Sequence, residues 1–241
     1  MTLLGRQSPL AAPAIAAALD LPRTTVHELL KTLEARGFID DAGGSSYRLG
    51  MRIFELGRSF ERDLDLVEIG KRGAEAVAAE CGETVQIALL DQTDVVYVVQ
   101  VSSIHAVQLV SRLGGRLPAH LTGVGKASLA FQPGPVLQEL YPPGRPLQTM
   151  TPASLATTDA LHSALEQVRA DGVAWDNCES NPDVYCVAAP IRDASGRVVA
   201  GMSISVPVHR WNDVHAEELR TLVIKGAQDV SAKLGLAAYT A

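Results

Sequence analysis

PRTTVHELLKTLEARG, residues 22–37, is the stretch that predicts the fold of the N-terminal part of this chain. Four apolar residues recur at the i, i+3, i+4, i+7 spacing that forms one stripe of an amphipathic helix: Val26, Leu29, Leu30 and Leu33. Pro22 suits the start of a helix, and Gly37 suits its C-terminal end. We therefore predict a helix over this stretch.

The opposite side of the predicted helix carries side chains suited to a DNA major groove, where a helix presents short polar groups to base edges. The candidate DNA-contacting residues are Arg23, Thr24, Thr25, His27, Glu28 and Lys31. An ordinary surface helix shows the same pattern, so the neighbouring segments have to distinguish the two interpretations.

Those neighbours favour a DNA-binding fold. Residues 13–19 predict a short helix and residues 20–22 a tight turn, and two helices joined in this way form a helix-turn-helix. Downstream, residues 37–40 predict a strand, residues 41–46 a turn-rich loop and residues 47–49 a returning strand. Such a hairpin is the wing of a winged helix.

Two sets of motifs resemble the IclR-type bacterial transcriptional regulators. The N-terminal set is IAAALDLPRTTVHELLKTLEARGFID at 15–40 with YRLGMRIFELG at 47–57, and the second is GGRLPAHLTGVGKASLA at 114–130 with DNCESNPDVYCVAAPIRDASGRVVAGMSISVP at 176–207. The resemblance covers roughly residues 10–235. It implies an α+β protein with a winged helix-turn-helix domain at 1–50, a linker helix at 51–65 and a GAF-like effector-binding domain with an antiparallel sheet at 66–241.

Charge neither supports nor excludes DNA binding. The chain of 241 residues has a net charge of −6. Residues 1–60 hold 7 Lys and Arg and 6 Asp and Glu, a net charge of +1. Residues 61–241 hold 14 Lys and Arg and 21 Asp and Glu, a net charge of −7. A charge of +1 is a weak electrostatic footprint for a protein that binds phosphates. A winged helix that contacts proteins rather than DNA therefore stays open as an alternative.

Composition indicates a cytoplasmic globular protein. Apolar residues make up 47% and charged residues 20%, and no apolar run reaches the 18 residues that a membrane helix needs. Residues 10–19 faintly resemble a signal peptide, but Pro9 and Pro13 interrupt the segment and helix-turn-helix sequence follows. Three scattered cysteines do not predict a disulfide framework. We expect no membrane partner.

The segment after the wing predicts two helices, at 51–61 and 66–81. The first has a broad apolar face formed by Ile53, Phe54, Leu56, Gly57 and Phe60. The resemblance implies that this region is a linker helix that dimerises, so we expect a homodimer or a dimer of dimers. Packing within a single chain is the alternative. The first helix of such a domain is predicted to be short, because only residues 2–7 precede the helix-turn-helix.

From residue 84 the pattern changes to alternating β-branched residues. Strands are predicted at 84–90, 95–101 and 106–112, followed by a helix at 117–132 and a Pro/Gly-rich segment at 133–146. A helix at 158–171 then leads to three more strands and a terminal helix, at 173–176, 185–191, 198–206 and 212–234. Strands and helices in this order predict an α+β domain.

Several residues of this part are candidates for holding a ligand. Ser203 and Ser205, two apart on a strand, face the same side of the sheet. The glycine-rich stretch at 114–126 leads into a predicted helix, whose free N–H groups favour an anion, and Gly123 and Val124 are the candidate donors. The resemblance implies effector contacts at Gly123, Val124, Asp176, Cys186, Ser203 and Ser205. The apolar side chains of Leu109, Leu117 and Leu121 are candidates for lining the body of the ligand. Glycines that only allow tight packing, solvent-facing serines and a core cysteine are the alternatives.

These donors predict a small mono-carboxylic acid as effector, and the sequence predicts no cofactor, no metal and no enzymatic activity. A catalytic Cys186 would need a histidine base and a lowered pKa, and no nucleophile-elbow or zinc-protease motif is present.

Two residues depart from the family pattern. Glu28 stands where arginine is common, and Asp183 replaces a glycine ahead of Cys186.

Overall fold

The computed structural model describes residues 1–62, 65–105 and 113–235. The predicted strand at 106–112, and Leu109 with it, lies outside the described residues. The chain separates into two compact units, Met1–Leu64 and Asp65–Ala241, here called the N-terminal and C-terminal units. Each is described by itself.

The N-terminal unit is a winged helix-turn-helix. Its elements are α1 (Thr2–Arg6), β1 (Leu10–Ala11), α2 (Ala12–Leu19), α3 (Arg23–Ala35), β2 (Ile39–Gly43), β3 (Ser46–Leu49) and α4 (Met51–Arg62). The three strands form an antiparallel sheet in the order β1-β3-β2, in which β1 was not predicted. The hairpin of β2 and β3 is the predicted wing.

The sequence of α3 explains how this helix packs. Val26 and Leu30 are buried in a small core with Ile15 and Ile39. Leu29, which the apolar spacing places on the same stripe, is 49% exposed, so the packed face is narrower than predicted. The helix ends at Ala35 because the chain turns through Gly37, whose φ of +73° is left-handed and favours glycine.

The C-terminal unit is built on a six-stranded antiparallel sheet in the order β6-β5-β4-β9-β8-β7. The strands are β4 (Thr84–Asp91), β5 (Asp94–Val101), β6 (Arg116–Pro118), β7 (Ala174–Asn177), β8 (Val184–Arg192) and β9 (Val198–Pro207). The helices are α5 (Asp65–Cys81), α6 (Gly123–Leu129), α7 (Gly134–Leu140), α8 (Thr158–Asp171) and α9 (Asp213–Lys233). Short 3-10 helices occupy Ala119–Leu121 and Val208–Arg210.

Both faces of this sheet are covered. On one face α5 and α9 share an apolar core with the central strands. Val77 of α5 and Val223 of α9 pack there with Ile87 of β4 and Met202 of β9. On the other face α6 and α8 form a second core that includes Ala127 and Leu165. The prediction of an α+β protein is confirmed. Among the described helices, none has the length and apolar character required to cross a membrane.

The structure corrects two predictions in the middle of the chain. Residues 117–132 are not one helix: Arg116–Pro118 pairs with β5 as an edge strand, a 3-10 turn follows, and α6 begins only at Gly123. The Pro/Gly-rich segment contains α7, since a proline near the N-terminus of a helix costs no hydrogen bond.

Candidate functional site

A cavity of about 930 Å³ lies in the C-terminal unit between α6 and the polar part of the sheet. It brings together six of the predicted effector residues: Gly123, Val124, Asp176, Cys186, Ser203 and Ser205. Leu121 is fully buried in the 3-10 helix and does not line this cavity. Leu109 lies outside the described residues.

The strand register explains why these side chains meet. In the antiparallel pairs Ser205 lies opposite Cys186 and Cys186 opposite Asp176, so the three form a row across β9, β8 and β7. The Cys186 Sγ and Ser205 Oγ atoms are 3.1 Å apart. Because side chains alternate along a strand, Met202, Ile204 and Val206 face the apolar core on the other side, as predicted.

Asp176 is fully buried, and its carboxylate accepts hydrogen bonds from the turn that follows it in the chain. The Oδ1 atom accepts hydrogen bonds from the Glu179 N–H at 2.7 Å and the Ser180 N–H at 3.3 Å, and Oδ2 accepts one from the Ser180 hydroxyl. Burial raises the pKa of this carboxyl despite these bonds. Asp176 therefore shapes the cavity wall at 176–180 as well as lining it.

A buried ion pair joins the cavity wall at 176–180 to α6. The sequence did not predict this ion pair. The Lys126 Nζ atom on α6 binds Glu179 Oε1, and both side chains are almost fully buried. Glu179 Oε2 has no hydrogen-bond partner in the described part of the chain. The Ser154 hydroxyl, from the loop between α7 and α8, donates a hydrogen bond to the Glu179 carbonyl oxygen at 2.7 Å. The partners are 53 residues apart, so no local pattern signals the contact.

Small residues let α6 lie directly on the sheet. A Cβ at Gly125 would sit 2.1 Å from the Ala119 carbonyl oxygen, and one at Gly201 would sit 2.7 Å from the Val124 carbonyl oxygen. The Thr122 hydroxyl caps the helix by accepting from the Gly125 N–H at 3.1 Å. Close packing accounts for Gly125 and Gly201, whereas Gly123 also faces the cavity.

Tyr97 and Gln86 also line the cavity, from β5 and β4, and sequence reasoning missed both. Alternation in β4 and β5 was evident, but both faces of the sheet are covered. The pattern alone therefore does not indicate which residues face a ligand. Burial, first of all, raises the pKa of the Tyr97 hydroxyl, and nearby Cys186 and Asp176 add to the shift.

In the N-terminal unit, the candidate DNA-contacting residues share one property: all are exposed along α3. They are Arg23, Thr24, Thr25, His27, Glu28 and Lys31. Within the described residues, none of their charged groups takes part in an ion pair. The helix therefore presents uncompensated positive and negative side chains to solvent, which is compatible with contacts to both phosphates and base edges.

Comparison with known proteins identifies the family. Residues 2–41 match the model of the IclR helix-turn-helix domain, and residues 60–232 match that of the bacterial transcriptional regulator IclR C-terminal domain. The chain belongs to the IclR family. As an IclR-family protein it is a DNA-binding transcriptional regulator, which confirms the resemblance seen in its motifs.

Individual IclR relatives match nearly end to end. The HTH-type transcriptional regulator XynR of Escherichia coli is 34% identical over 222 residues, which are 92% of this chain and 88% of XynR. The crystal structure of the Thermotoga maritima IclR has a TM-score of 0.74 at 29% identity, covering 95% and 92% of the two chains. An IclR homologue from Microbacterium hydrocarbonoxydans, complexed with 4-hydroxybenzoate, has a TM-score of 0.81 at 25% identity, covering 94% and 91%.

The IclR relatives are regulators, not enzymes, and the chemistry of Cys186 agrees with them. Burial raises the pKa of the Cys186 thiol well above its ordinary value. A thiol that stays protonated at neutral pH is a poor nucleophile. Across the described parts of the chain, no cluster of His, Cys, Asp or Glu side chains could hold a metal ion.

Proposed function

We propose that this IclR-family regulator senses a small mono-carboxylic acid in the cavity of its C-terminal unit, and that the acid changes its affinity for operator DNA. The observation that supports the proposal is the convergence of six predicted effector residues on one cavity of about 930 Å³. A cavity of this size falls in the range that holds small ligands. We call it the effector cavity.

The lining favours a mono-acid with an apolar body. Serine hydroxyls and backbone amides suit one carboxylate, while the buried Asp176 would repel a second. Leu117, Val124 and Val184 provide apolar surface. A hydroxylated aromatic acid or a short oxo-acid fits this description, and the 4-hydroxybenzoate complex of the Microbacterium homologue supports the aromatic class.

A thermal-shift screen against short oxo-acids and aromatic acids tests the proposed sensing directly. An acid that raises the unfolding temperature should also change operator affinity, by a coupling of about 1–3 kcal/mol. Stabilisation by acids without any change in DNA affinity would contradict the regulatory part of the proposal.

Replacing both Ser203 and Ser205 with alanine should weaken effector binding by about 1–3 kcal/mol, a roughly 5- to 150-fold rise in Kd, because two hydrogen-bonding groups are lost. Operator affinity of the ligand-free protein should stay nearly unchanged. Calorimetry on the double variant measures the first effect. Ser231→Ala is the matched control, since this equally buried serine lies on α9, on the other face of the sheet. An unchanged Kd in the double variant would exclude the two serines from the site.

We further propose that the regulator binds an inverted-repeat operator as a dimer, with α3 in the major groove and the wing at residues 40–47 near the DNA backbone. The domain boundaries that we propose are 1–50 for DNA binding, 51–65 for the linker helix and 66–241 for effector binding.

Three large apolar side chains on α4 support a dimer contact there, because they are strongly exposed: Met51 at 69%, Phe54 at 64% and Leu56 at 44%. A monomer in light scattering at micromolar concentration would contradict the dimer.

Two kinds of α3 variant should separate phosphate contacts from base contacts. Lys31→Ala should weaken binding to every sequence and lower the salt dependence by about one phosphate contact. Thr24→Ala or Glu28→Ala should instead change base preference, by about 1–3 kcal/mol at the contacted base pair. For Glu28 the reason is that a glutamate can accept a hydrogen bond from the N4 amino group of cytosine. Selection from randomised DNA, with exposed Glu34→Ala as control, measures the difference. Binding that does not depend on salt would favour the alternative of protein contacts.

A further inference from the structure

Tyr97 has a hydroxyl that is open to the effector cavity and has no hydrogen-bond partner in the described part of the protein. The residue lies on β5, is only 6% exposed and lines the effector cavity. In the described residues its hydroxyl has no hydrogen-bond partner. Tyr141 provides a contrast within the same unit: it is 3% exposed, but its hydroxyl donates to the Thr93 carbonyl at 3.2 Å.

The Tyr97 hydroxyl can pair only with what occupies the cavity. Polar groups inside proteins are nearly always hydrogen-bonded to protein, water or ligand. Phenylalanine would fill the same space but would offer no hydrogen bond to the cavity. Since the Tyr97 side chain faces the effector cavity, a bound ligand can supply the missing partner.

The neighbouring protein groups do not supply it. Both carboxylate oxygens of Asp176 already accept hydrogen bonds from the turn at 176–180. The thiol of Cys186 is paired with the Ser205 hydroxyl. Because burial raises its pKa, Tyr97 remains a neutral phenol at physiological pH, and its hydroxyl is available as a donor.

In the part of the cavity wall that the structure describes, the side chains offer neutral donors rather than a free cation. Ser203, 3% exposed, also has a hydroxyl with no partner among the described residues. The two basic residues that line the cavity are engaged elsewhere. Arg116 pairs with Asp91 and Asp94, and His209 lies 3.3 Å from an Arg210 nitrogen. Among the described lining residues, an acid in this cavity has hydroxyl donors within reach and no unpaired guanidinium.

We propose that the Tyr97 hydroxyl donates a hydrogen bond directly to the carboxylate of the effector, together with the Ser203 hydroxyl, so that neutral donors recognise the acid. The inference rests on the proposed sensing of a carboxylic acid. It identifies a specificity-determining residue that lies outside the predicted set and gives a reason for a tyrosine at this position.

Tyr97→Phe tests the assignment because it removes one oxygen atom and leaves the ring. Calorimetry with 4-hydroxybenzoate and with benzoate should give a Kd about 10- to 100-fold higher than for the wild type, by the same factor for both acids, as expected for a lost hydrogen bond to a charged acceptor. Tyr141→Phe, the matched control, should leave both Kd values unchanged.

Thermal unfolding of the ligand-free variants distinguishes a ligand contact from a structural role. Tyr97→Phe should unfold at the wild-type temperature, since its hydroxyl makes no hydrogen bond to the described part of the protein. Tyr141→Phe should unfold at a lower temperature, since a hydrogen bond is lost.

Each contrary outcome has a distinct meaning. Equal Kd values for wild type and Tyr97→Phe would overturn the inference and leave the sensing of an acid intact. A loss for 4-hydroxybenzoate alone would place Tyr97 at the ring hydroxyl and overturn the carboxylate contact. A lower unfolding temperature for Tyr97→Phe would assign its hydroxyl to the fold. Failure of the wild type to bind either acid, pyruvate or glyoxylate would overturn the inference and the proposed sensing together.

Discussion

Alanine in place of Gly125 will destabilise the C-terminal unit by about 3 kcal/mol or more. The added Cβ would lie 2.1 Å from the Ala119 carbonyl oxygen and 2.5 Å from the Ala119 Cα atom. Both are backbone atoms, so no side-chain rotation relieves the overlap, and α6 would have to move away from the 3-10 helix at Ala119–Leu121. Forced overpacking costs about 1–3 kcal/mol and more where the backbone must shift.

Thermal unfolding measures the effect. For a unit of this size, 3 kcal/mol corresponds to a fall of roughly 6–12 °C. Gly134→Ala is the control, because Gly134 also lies in the first turn of a helix and nothing lies within 4 Å of its added Cβ. Equal unfolding temperatures for the two variants would show that α6 does not pack on the 3-10 helix at Ala119–Leu121 as closely as described.

Lys126→Met will destabilise the same unit by about 3–5 kcal/mol. The substitution leaves the Glu179 carboxylate buried without its partner, and an uncompensated buried charge is more costly than the loss of an ion pair as such. The wall at 176–180 would also lose its attachment to α6, so effector binding should weaken in parallel.

The double variant Lys126→Met with Glu179→Gln should recover much of the stability, since no charge remains buried. Arg72→Met is a matched single control. Its pair with Glu68 is exposed, at 68% and 76%, and such pairs contribute about 0–1 kcal/mol. Denaturant unfolding of all three variants decides the matter. A Lys126→Met variant as stable as Arg72→Met would mean that the buried charge is solvated or neutralised.

Sequence reasoning succeeded where the signal is local. The helix α8 spans Thr158–Asp171 as predicted, because Thr157 caps it by accepting from the Ala160 N–H and Gly172 ends it with a φ of +73°. The alternation of β9 correctly placed Ser203 and Ser205 on one face and Met202 on the other. In each case the residues that determine the structure are adjacent in the chain.

The missed features depend on partners distant in sequence. Arg116–Pro118 is a strand because it pairs with β5, and this contact overrode the helical pattern of the segment. The Lys126–Glu179 pair joins helix α6 to the turn at 176–180, which only the folded sheet brings together. In the sequence Tyr97 has the pattern of any buried residue of a strand that is covered on both faces. Only the position of the cavity shows that Tyr97 lines it, whereas Val95 and Val99 do not.

The alternation of β9 has a practical consequence for the design of mutant libraries. Positions 203 and 205 line the cavity that we propose as the effector site, whereas 202, 204 and 206 belong to the core that holds the unit together. A library that varies alternate positions of β9, together with 97 and 186 on neighbouring strands, changes the cavity wall and spares this core. A library of consecutive codons through the same strand changes both at once and destabilises the unit.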